Sequence, residues 1–529
     1  MDSKFYNRVS PADLFERLDS EYYSSELMHN EQKISVFKQV TLESIVDSSV
    51  PNNISDLTSN GSFEFLRGIE FNSTGGIPFI RTQNLMDNYL SDDGYLYVSS
   101  TSSEKVRKSL CNSGDLIVCR KGKVGSASSV PDRLQGAAIS ENVTRFSLDD
   151  TKDADFISVF LNSSHGRKRF LREATGVIQK WINNEKLREI KVIEIDHLAQ
   201  KYIGEKVRQA ERLRAWAKSI KQTLQEFEND IPVKKFPRTN KKYAISRTFD
   251  LTENRLDAEF YEDKHIDLSR QFNGEFSSLG ALTTGFKYGS SVKADYVAKG
   301  KGIPFVRGNA LTDNEISKSD IVYLDRSLTD ELKNNFLNIG DVMITRSGTV
   351  GVACDVYEGF DKYAYGSFII NSKPKSEVIN PLYLSWYLNS WVGQQQFRRW
   401  ENGAVQLNIN TEELASIEVW TAPNEFQLKV AEQIKLLRAV NRLAQCLIAS
   451  AKLLVEDLIE GQLTESQLVS AQQALETGDD SLDRSLLERM TAEGIDGEGD
   501  PLFDDIDQLY ELLEQAKQAL DADDAMTEA

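Results

Sequence analysis

Apolar positions along the chain follow two rhythms. Four-residue apolar runs bounded by glycine and proline occur at Ile77–Ile80, Leu116–Cys119, Ile303–Val306 and Val342–Thr345. Runs of this length between turn formers predict strands. Helical spacing follows near 153–173 and 380–400, and a further apolar strand pattern near 190–195 and 417–420. Two longer stretches carry a one-sided stripe. The first places Ile203, Val207, Ala210, Leu213, Ala217, Ile220, Leu224 and Phe227 on one helix face. The second, Val430, Ile434, Leu437, Asn441, Ala444, Ile448, Ala451, Val455 and Leu458, steps by four and three in strict alternation, the seam of a coiled coil. Asn441 on that seam can fix register. Each stripe needs a partner. The economical arrangement packs the two helices on each other; the alternative lays each on its own globule.

The elements recur. Gly76-Ile-Pro-Phe-Ile-Arg81 returns as Gly302-Ile-Pro-Phe-Val-Arg307, and Gly114-Asp115 through Arg120, Gly122 and Gly125 returns as Gly340-Asp341 through Arg346, Gly348 and Gly351, both shifted by 226. Gly176-x-x-Gln179 through Asn183 returns as Gly403-x-x-Gln406 through Asn410, shifted by 227, and Arg17-Leu-Asp returns as Arg255-Leu-Asp, shifted by 238. Four blocks in one order at near-constant spacing mark an internal duplication. The fold expected is α+β: two similar mixed α/β domains, each followed by a long helix, with an acidic helical C-terminal extension. The boundaries expected are 13–197 and 251–423 for the domains, 198–230 and 424–461 for the helices, 231–250 for a linker marked by Pro232 and Pro237, and 462–529 for the extension.

Charge changes the picture once it is located. The chain carries −19 overall, but residues 461–529 hold 19 Asp/Glu against 3 Lys/Arg, or −16, leaving −3 for the rest. The body is therefore nearly neutral and open to nucleic acid. Four scattered cysteines and four scattered histidines show no disulfide framework and no metal-ligand spacing, so no metal is expected. The absence of an apolar span and of an apolar leader after Met1-Asp2-Ser3-Lys4-Phe5 suggests a cytoplasmic chain without membrane contact.

The duplicated Gly-Ile-Pro-Phe-(Ile/Val)-Arg and Gly-Asp-x-x-x-x-Arg-x-Gly-x-x-Gly blocks, with the helix ending Leu454-Val-Glu-Asp-Leu-Ile-Glu-Gly461, resemble the specificity subunits of type I restriction-modification systems. The resemblance spans residues 13–463 or so. It implies two target-recognition domains separated by two long antiparallel spacer helices, each domain reading half of a split sequence in double-stranded DNA, with the helices setting the gap and binding two methylation subunits, and restriction subunits joining them. It implies no catalytic residue here; S-adenosylmethionine, Mg2+ and ATP would belong to the partner subunits. A rigid spacer suits split recognition, since a helix advances about 1.5 Å per residue and half-site spacing follows protein geometry.

Arg81, Gln83 and Asn84, with Arg307 and Asn309, follow strands directly and are side chains that fork onto base edges. Arg120, Lys121 and Lys123, with Arg346, Ser347 and Thr349, sit among glycines that permit close approach to phosphate. Gln179, Lys180 and Asn183, with Gln406, Asn408 and Asn410, form a third polar group, beside which Trp181 is either a contact or core. Residues shared by both copies are equally well read as scaffold, and positions that differ, such as those around Gln83 and Asn309, as base readers. The repeated Gly-Asp reads as a turn.

Enzyme readings are weaker. Asn380-Pro-Leu-Tyr383 is similar to an amino-methyltransferase motif, but the first copy has Asp153-Ala-Asp-Phe156 there, and Asn-Pro also starts helices. A nuclease set of Asp257, Glu259, Glu262 and Lys264 loses its lysine in the first copy, which has Glu26. The rivals left are a recognition subunit of another DNA-modification or phage-defence assembly and a coiled-coil protein scaffold. In the extension, helices are expected at 464–476, 481–491 and 505–520. The extension, with the apolar set Leu502, Phe503, Ile506, Leu509, Tyr510, Leu512 and Leu513, is expected to meet a partner subunit or this chain's own basic surfaces, the apolar face favouring the partner, against a bland reading as a solvated tail.

Overall fold

The computed structural model describes residues 19–91, 93–176, 179–235, 257–293, 295–403, 406–497 and 499–527, with Leu14 and Arg255. Most of the expected linker, from residue 236 onward, lies outside them. The chain divides into two compact units, residues 1–216 with 440–529 and residues 217–439. Both divisions fall inside a long helix, His197–Glu226 and Asn424–Glu460, so each unit contains part of both spacer helices.

The strands form where the apolar runs place them. In the first unit Leu116–Cys119 pairs antiparallel with Ala127–Ser129 and Val143–Phe146, and the latter pairs with Ile54–Ser55. A second sheet sets Ile77–Ile80 parallel to Ala138–Ile139 and antiparallel to Leu96–Val98, which pairs with Phe71–Asn72. The second unit repeats this. Val342–Thr345 pairs with Ala353–Asp355 and Ile369–Pro374, and the latter with Thr283–Tyr288. Ile303–Val306 is parallel to Ala364–Tyr365 and antiparallel to Val322–Leu324, which pairs with Tyr296–Val297. The duplication therefore extends to register. All four residues of Leu116–Cys119 and of Val342–Thr345 are buried, which explains their continuous apolar reading.

Each helical stretch near 153–173 and 380–400 is two helices, Ala154–Asn162 with Ser164–Glu173 and Pro381–Asn389 with Trp391–Trp400. A serine ends one helix and caps the next: Ser163 accepts from Gly166 N and Ser390 from Gly393 N. Asn380 caps its helix ahead of Pro381, and Tyr383 is buried with its hydroxyl donating to Trp420 O at 2.8 Å. Asp153 caps the matching helix, so this string is a helix start in both copies. The carboxylate of Asp257 is bonded by Arg255 at 2.6 and 2.8 Å, and that of Glu262 by Lys264 at 2.5 Å.

The predicted stripes are buried from Ile203 through Leu224 and from Val430 through Leu458, except half-buried Asn441. The second helix buries Val440, Leu443, Leu447 and Leu454 as well, so its apolar face is wider than a simple seam. Within the second unit, Phe227, just past the first helix, lies edge-on to Phe426 in the first turn of the second, ring centres 5.6 Å apart. Within the first unit, the start of the first helix and the end of the second both hold the C-terminal extension: Tyr202 bonds Asp483, and Asp457 accepts from Ile495 N at 2.8 Å. Within the second unit the end of the first helix thus lies against the start of the second.

The extension folds as helices Glu465–Glu476, Ser481–Glu488 and Ile506–Thr527. Its apolar face does not await a partner. Phe503, Ile506, Leu509 and Leu512 are buried within this chain, which corrects the expectation of a partner contact drawn from that face. No helix of the described residues is long and apolar enough to cross a membrane.

Candidate nucleic-acid interface

The three sequence blocks of the first copy converge on one end of its sheets. Strand Leu116–Cys119 runs into the turn Arg120–Gly125. That turn requires glycine at its end: Gly125 is left-handed (φ +84°), and a Cβ there would stand 2.4 Å from the Phe170 ring. Gly351 repeats both features (φ +92°, 2.5 Å from Phe397). The turn is joined to the Gly176 loop where Ile182 N donates to Arg120 O at 3.0 Å and Lys121 bridges to Trp181, and the loop closes on itself where Thr175 and Trp181 exchange N–H···O bonds of 2.8 and 2.9 Å. The second copy matches it. Asn402 and Asn408 exchange bonds of 2.9 and 2.8 Å, and Ile409 N donates to Arg346 O at 3.0 Å. The Arg81 block lies against the same turn: Lys123 Nζ donates to Leu85 O at 3.4 Å, and Gly122 approaches Thr82.

Within this frame the predicted residues separate. Lys121, Gln179 and Trp181 are exposed, Trp181 by 45%, which takes it out of the core. Lys121 makes no ion pair among the described residues. Gln83 is exposed, its amide donating to Gly94 O at 3.3 Å. Lys123 is exposed too, while Lys180 reaches Glu21 at 2.5 Å. In the second copy Asn309, Gln406, Thr349 and Asn410 are exposed and Ser347 and Asn408 half-buried.

Other predicted residues hold the scaffold. Asn84 is 1% exposed; its amide accepts from Arg81 N (3.0 Å) and donates to Asp93 O (3.0 Å), so it closes a turn and offers nothing to a base. Asn183 and Asn410 cap the short helices Asn184–Glu189 and Thr411–Ala415. Arg120 donates twice to Glu141 O and pairs with Asp56 at 3.1 Å. Arg346 reaches the matching carbonyl of Ser367 at 3.4 Å and lies 4.7 Å from the Tyr288 ring centre. Half-buried Arg81 donates to Gly94 O at 2.8 Å, and the Nε atoms of Arg81 and Arg307 are buried without an acceptor among the described residues. Of the shared arginines, Arg81, Arg120 and Arg346 are thus engaged by backbone carbonyls of their own unit. The Gly-Asp pairs are turns: Asp115 accepts from Asn112 N at 2.7 Å and Asp341 from Asn338 N at 3.2 Å.

Beside the first platform, Thr58, Arg120, Lys121, Glu141, Asn142, Trp181 and Ile182 line a cleft of about 300 Å³. The second platform carries exposed aromatics that the sequence reading missed. Tyr288, 39% exposed, accepts from Thr411 N at 3.1 Å, and Phe368, 50% exposed, accepts Arg346 N on its carbonyl at 2.8 Å. Neither falls in a repeated block. The signal was an aromatic within two residues of a glycine, Tyr288-Gly289 and Gly366-Ser367-Phe368.

No protein-family model matches the sequence, and neither does any curated protein. Among solved structures the chain is similar to the S subunit of the type I restriction-modification system from M. genitalium, at 12% identity over 82% of this chain and 96% of that one, TM-score 0.37. It is similar to a chain from the complex assembly and conformational transition of the type I R-M system (13% identity, 82% and 97% covered, TM-score 0.26). A third is the HsdS subunit from Thermoanaerobacter tengcongensis (15%, 84% and 97%, TM-score 0.22). By both measures these likenesses are distant.

Proposed function

We propose that this chain is the DNA sequence-specificity subunit of a type I restriction-modification complex, reading a two-part target and assembling methylation and restriction subunits. The observation that carries this reading is one backbone ladder built twice, Lys121 with Trp181 and Ser347 with Asn408, presenting different side chains from the same frame. Two equal frames with unequal surfaces suit two half-sites of different sequence. Phosphate contacts position such heads, and base contacts specify. The exposed Lys121, Lys123, Gln83, Gln179 and Trp181 in one unit, and the exposed Asn309 and Gln406 with half-buried Asn408 and Ser347 in the other, are the side chains assigned to DNA. Catalysis, with S-adenosylmethionine, Mg2+ and ATP, belongs in this reading to the partner subunits. Sequencing DNA methylation with and without this gene tests it: deletion removes adenine methylation from one split motif. If no split motif loses methylation, the reading fails.

A further inference from the structure

The first unit carries a projecting turn that none of the repeated blocks includes. Helix Phe63–Leu66 is a single turn capped by Ser62, and its first residue, Phe63, is 79% exposed, with Phe65 45% exposed beside it. So large an apolar surface in water is unfavourable for the free protein. The turn is nevertheless fastened at its base. Leu66 and Ile69 pack on the cluster around Leu57, Phe79 and Val98. Lys105 Nζ donates to Gly68 O at 2.7 Å, Glu70 N to Ser102 Oγ at 3.0 Å, and Asn60 Nδ2 to Ser109 Oγ at 2.9 Å. The result is a held apolar point rather than a loose loop.

Its surroundings indicate what it meets. The two segments that build it, 61–70 and 100–109, hold four cations (Arg67, Lys105, Arg107, Lys108) against three carboxylates. It continues directly from Leu57–Asn60, whose Thr58 lines the cleft with Arg120, Lys121 and Trp181. In the second copy the strands that match Ile54–Ser55 and Phe71–Asn72, Thr283–Tyr288 and Tyr296–Val297, are joined by seven residues where the first copy uses fifteen, with no helix among the described ones. An apolar point among cations, beside a polar platform, matches the side chains that wedge between base steps and kink a duplex.

We infer that Phe63 is a wedge that enters double-stranded DNA at the half-site read by the first unit and contributes specificity there through deformation. This rests on the proposed function and adds a mode of reading that only one of the two units uses. Sequence is then sensed by how easily a step unstacks, without a hydrogen bond to its bases.

The test selects binding sites from random duplexes with the full-length chain, its Phe63→Ala variant and its Phe63→Trp variant. Thermal melting of the three coincides, because the side chain is exposed. Wild type enriches a split motif. Phe63→Ala keeps one half, loses preference in the other and binds the full motif roughly tenfold more weakly; Phe63→Trp keeps both. A 2-aminopurine placed at the affected step brightens on binding wild type and not Phe63→Ala. The same motif, affinity and fluorescence with Phe63→Ala overturn the wedge and leave the proposed function standing. Unchanged DNA behaviour with loss of a co-purifying protein also overturns it and makes the turn a protein contact. If wild type enriches no sequence, both proposals fall.

Discussion

Lys206 and Asp483 form an ion pair sealed from solvent: the ammonium lies 2.6 and 2.8 Å from the two carboxylate oxygens, with side-chain exposures of 0% and 1%. Tyr202 and Tyr510 each donate a further bond of 2.5 Å to the same carboxylate. One residue belongs to the first spacer helix and the other to the acidic extension, so this pair fastens the extension to the first unit. A buried pair adds little over an apolar replacement, but breaking it strands a charge.

Lys206→Met therefore lowers the stability of the first unit by about 3–5 kcal/mol, and Lys206→Met with Asp483→Leu recovers only part of that loss, because the Tyr202 and Tyr510 hydroxyls then lose their acceptor. Denaturant melts give both numbers. Burial pushes the Asp483 carboxyl up, but Lys206 and the two hydroxyls outweigh it and hold it below the ordinary carboxylate range. Its stabilisation is present above the unfolded carboxyl pKa and is lost as pH falls through the lower folded value. Asp483→Asn removes that acid limb from a pH titration of stability.

The second unit has a histidine of opposite character. His265 is 4% exposed, its Nδ1 3.2 Å from Gln395 Nε2. Burial, aided by the cations Lys264 and Arg399, lowers its pKa from 6.5 to about 4. The fold thus favours the neutral ring. Stability is complete above pH 6.5 and declines as pH falls toward 4, by at most about 3 kcal/mol. Urea melts at pH 7 and pH 5 show this decline in wild type and a flatter profile in His265→Asn.

Much of this was legible from residues that act locally. The strands at Ile77–Ile80 and Val342–Thr345 needed only four apolar residues between turn formers, and the spacer helices only their stripes. What escaped depends on the third dimension. Asn84, Asn183 and Asn410 are the residue types that read bases, and they are equally the types that close turns and cap helices. Only burial and partners distinguish the roles. The apolar face of the extension read as unpartnered because Tyr202 and Lys206, which help hold the extension, lie about 280 residues earlier; their long-range bonds have no sequence period. The exposure of Phe63 and Tyr288 is likewise a property of what does not pack on them.

Asn162 grips both backbone groups of Ala127: its amide accepts from Ala127 N at 3.1 Å and donates to Ala127 O at 2.7 Å. Asn389 does the same to Ala353 at 2.9 and 2.8 Å. The clasp joins the first helix of each helical pair to the edge strand beneath its platform. Replacing Asn162 by Leu leaves the buried Ala127 N–H unpaired, at about 1–3 kcal/mol, while Ala127 O keeps the bond from Asn88 N at 2.9 Å. Asn389→Leu costs less, because Asn389 is half-buried and water reaches its site, whereas Asn162 is 4% exposed. Thermal melts of the two variants, compared side by side, check this order.

Lys121 and Arg120 are neighbours with opposite expected signatures. Lys121 is exposed and makes no ion pair among the described residues, so under the proposed function it is expected to contact phosphate. Lys121→Gln then weakens binding to all duplexes alike and lowers the slope of log affinity against log salt by about 0.9, one released counterion. Arg120 is held by Glu141 O and Asp56, so Arg120→Gln removes scaffold: melting falls, and the salt slope changes only as far as the platform unfolds. Trp181→Ala separates a third role. Its ring is exposed while its backbone carries the ladder, so the variant folds, keeps the salt slope and changes which sequences are preferred. Equal salt slopes for wild type and Lys121→Gln would remove Lys121 from the interface, and an unchanged sequence preference in Trp181→Ala would remove the ring.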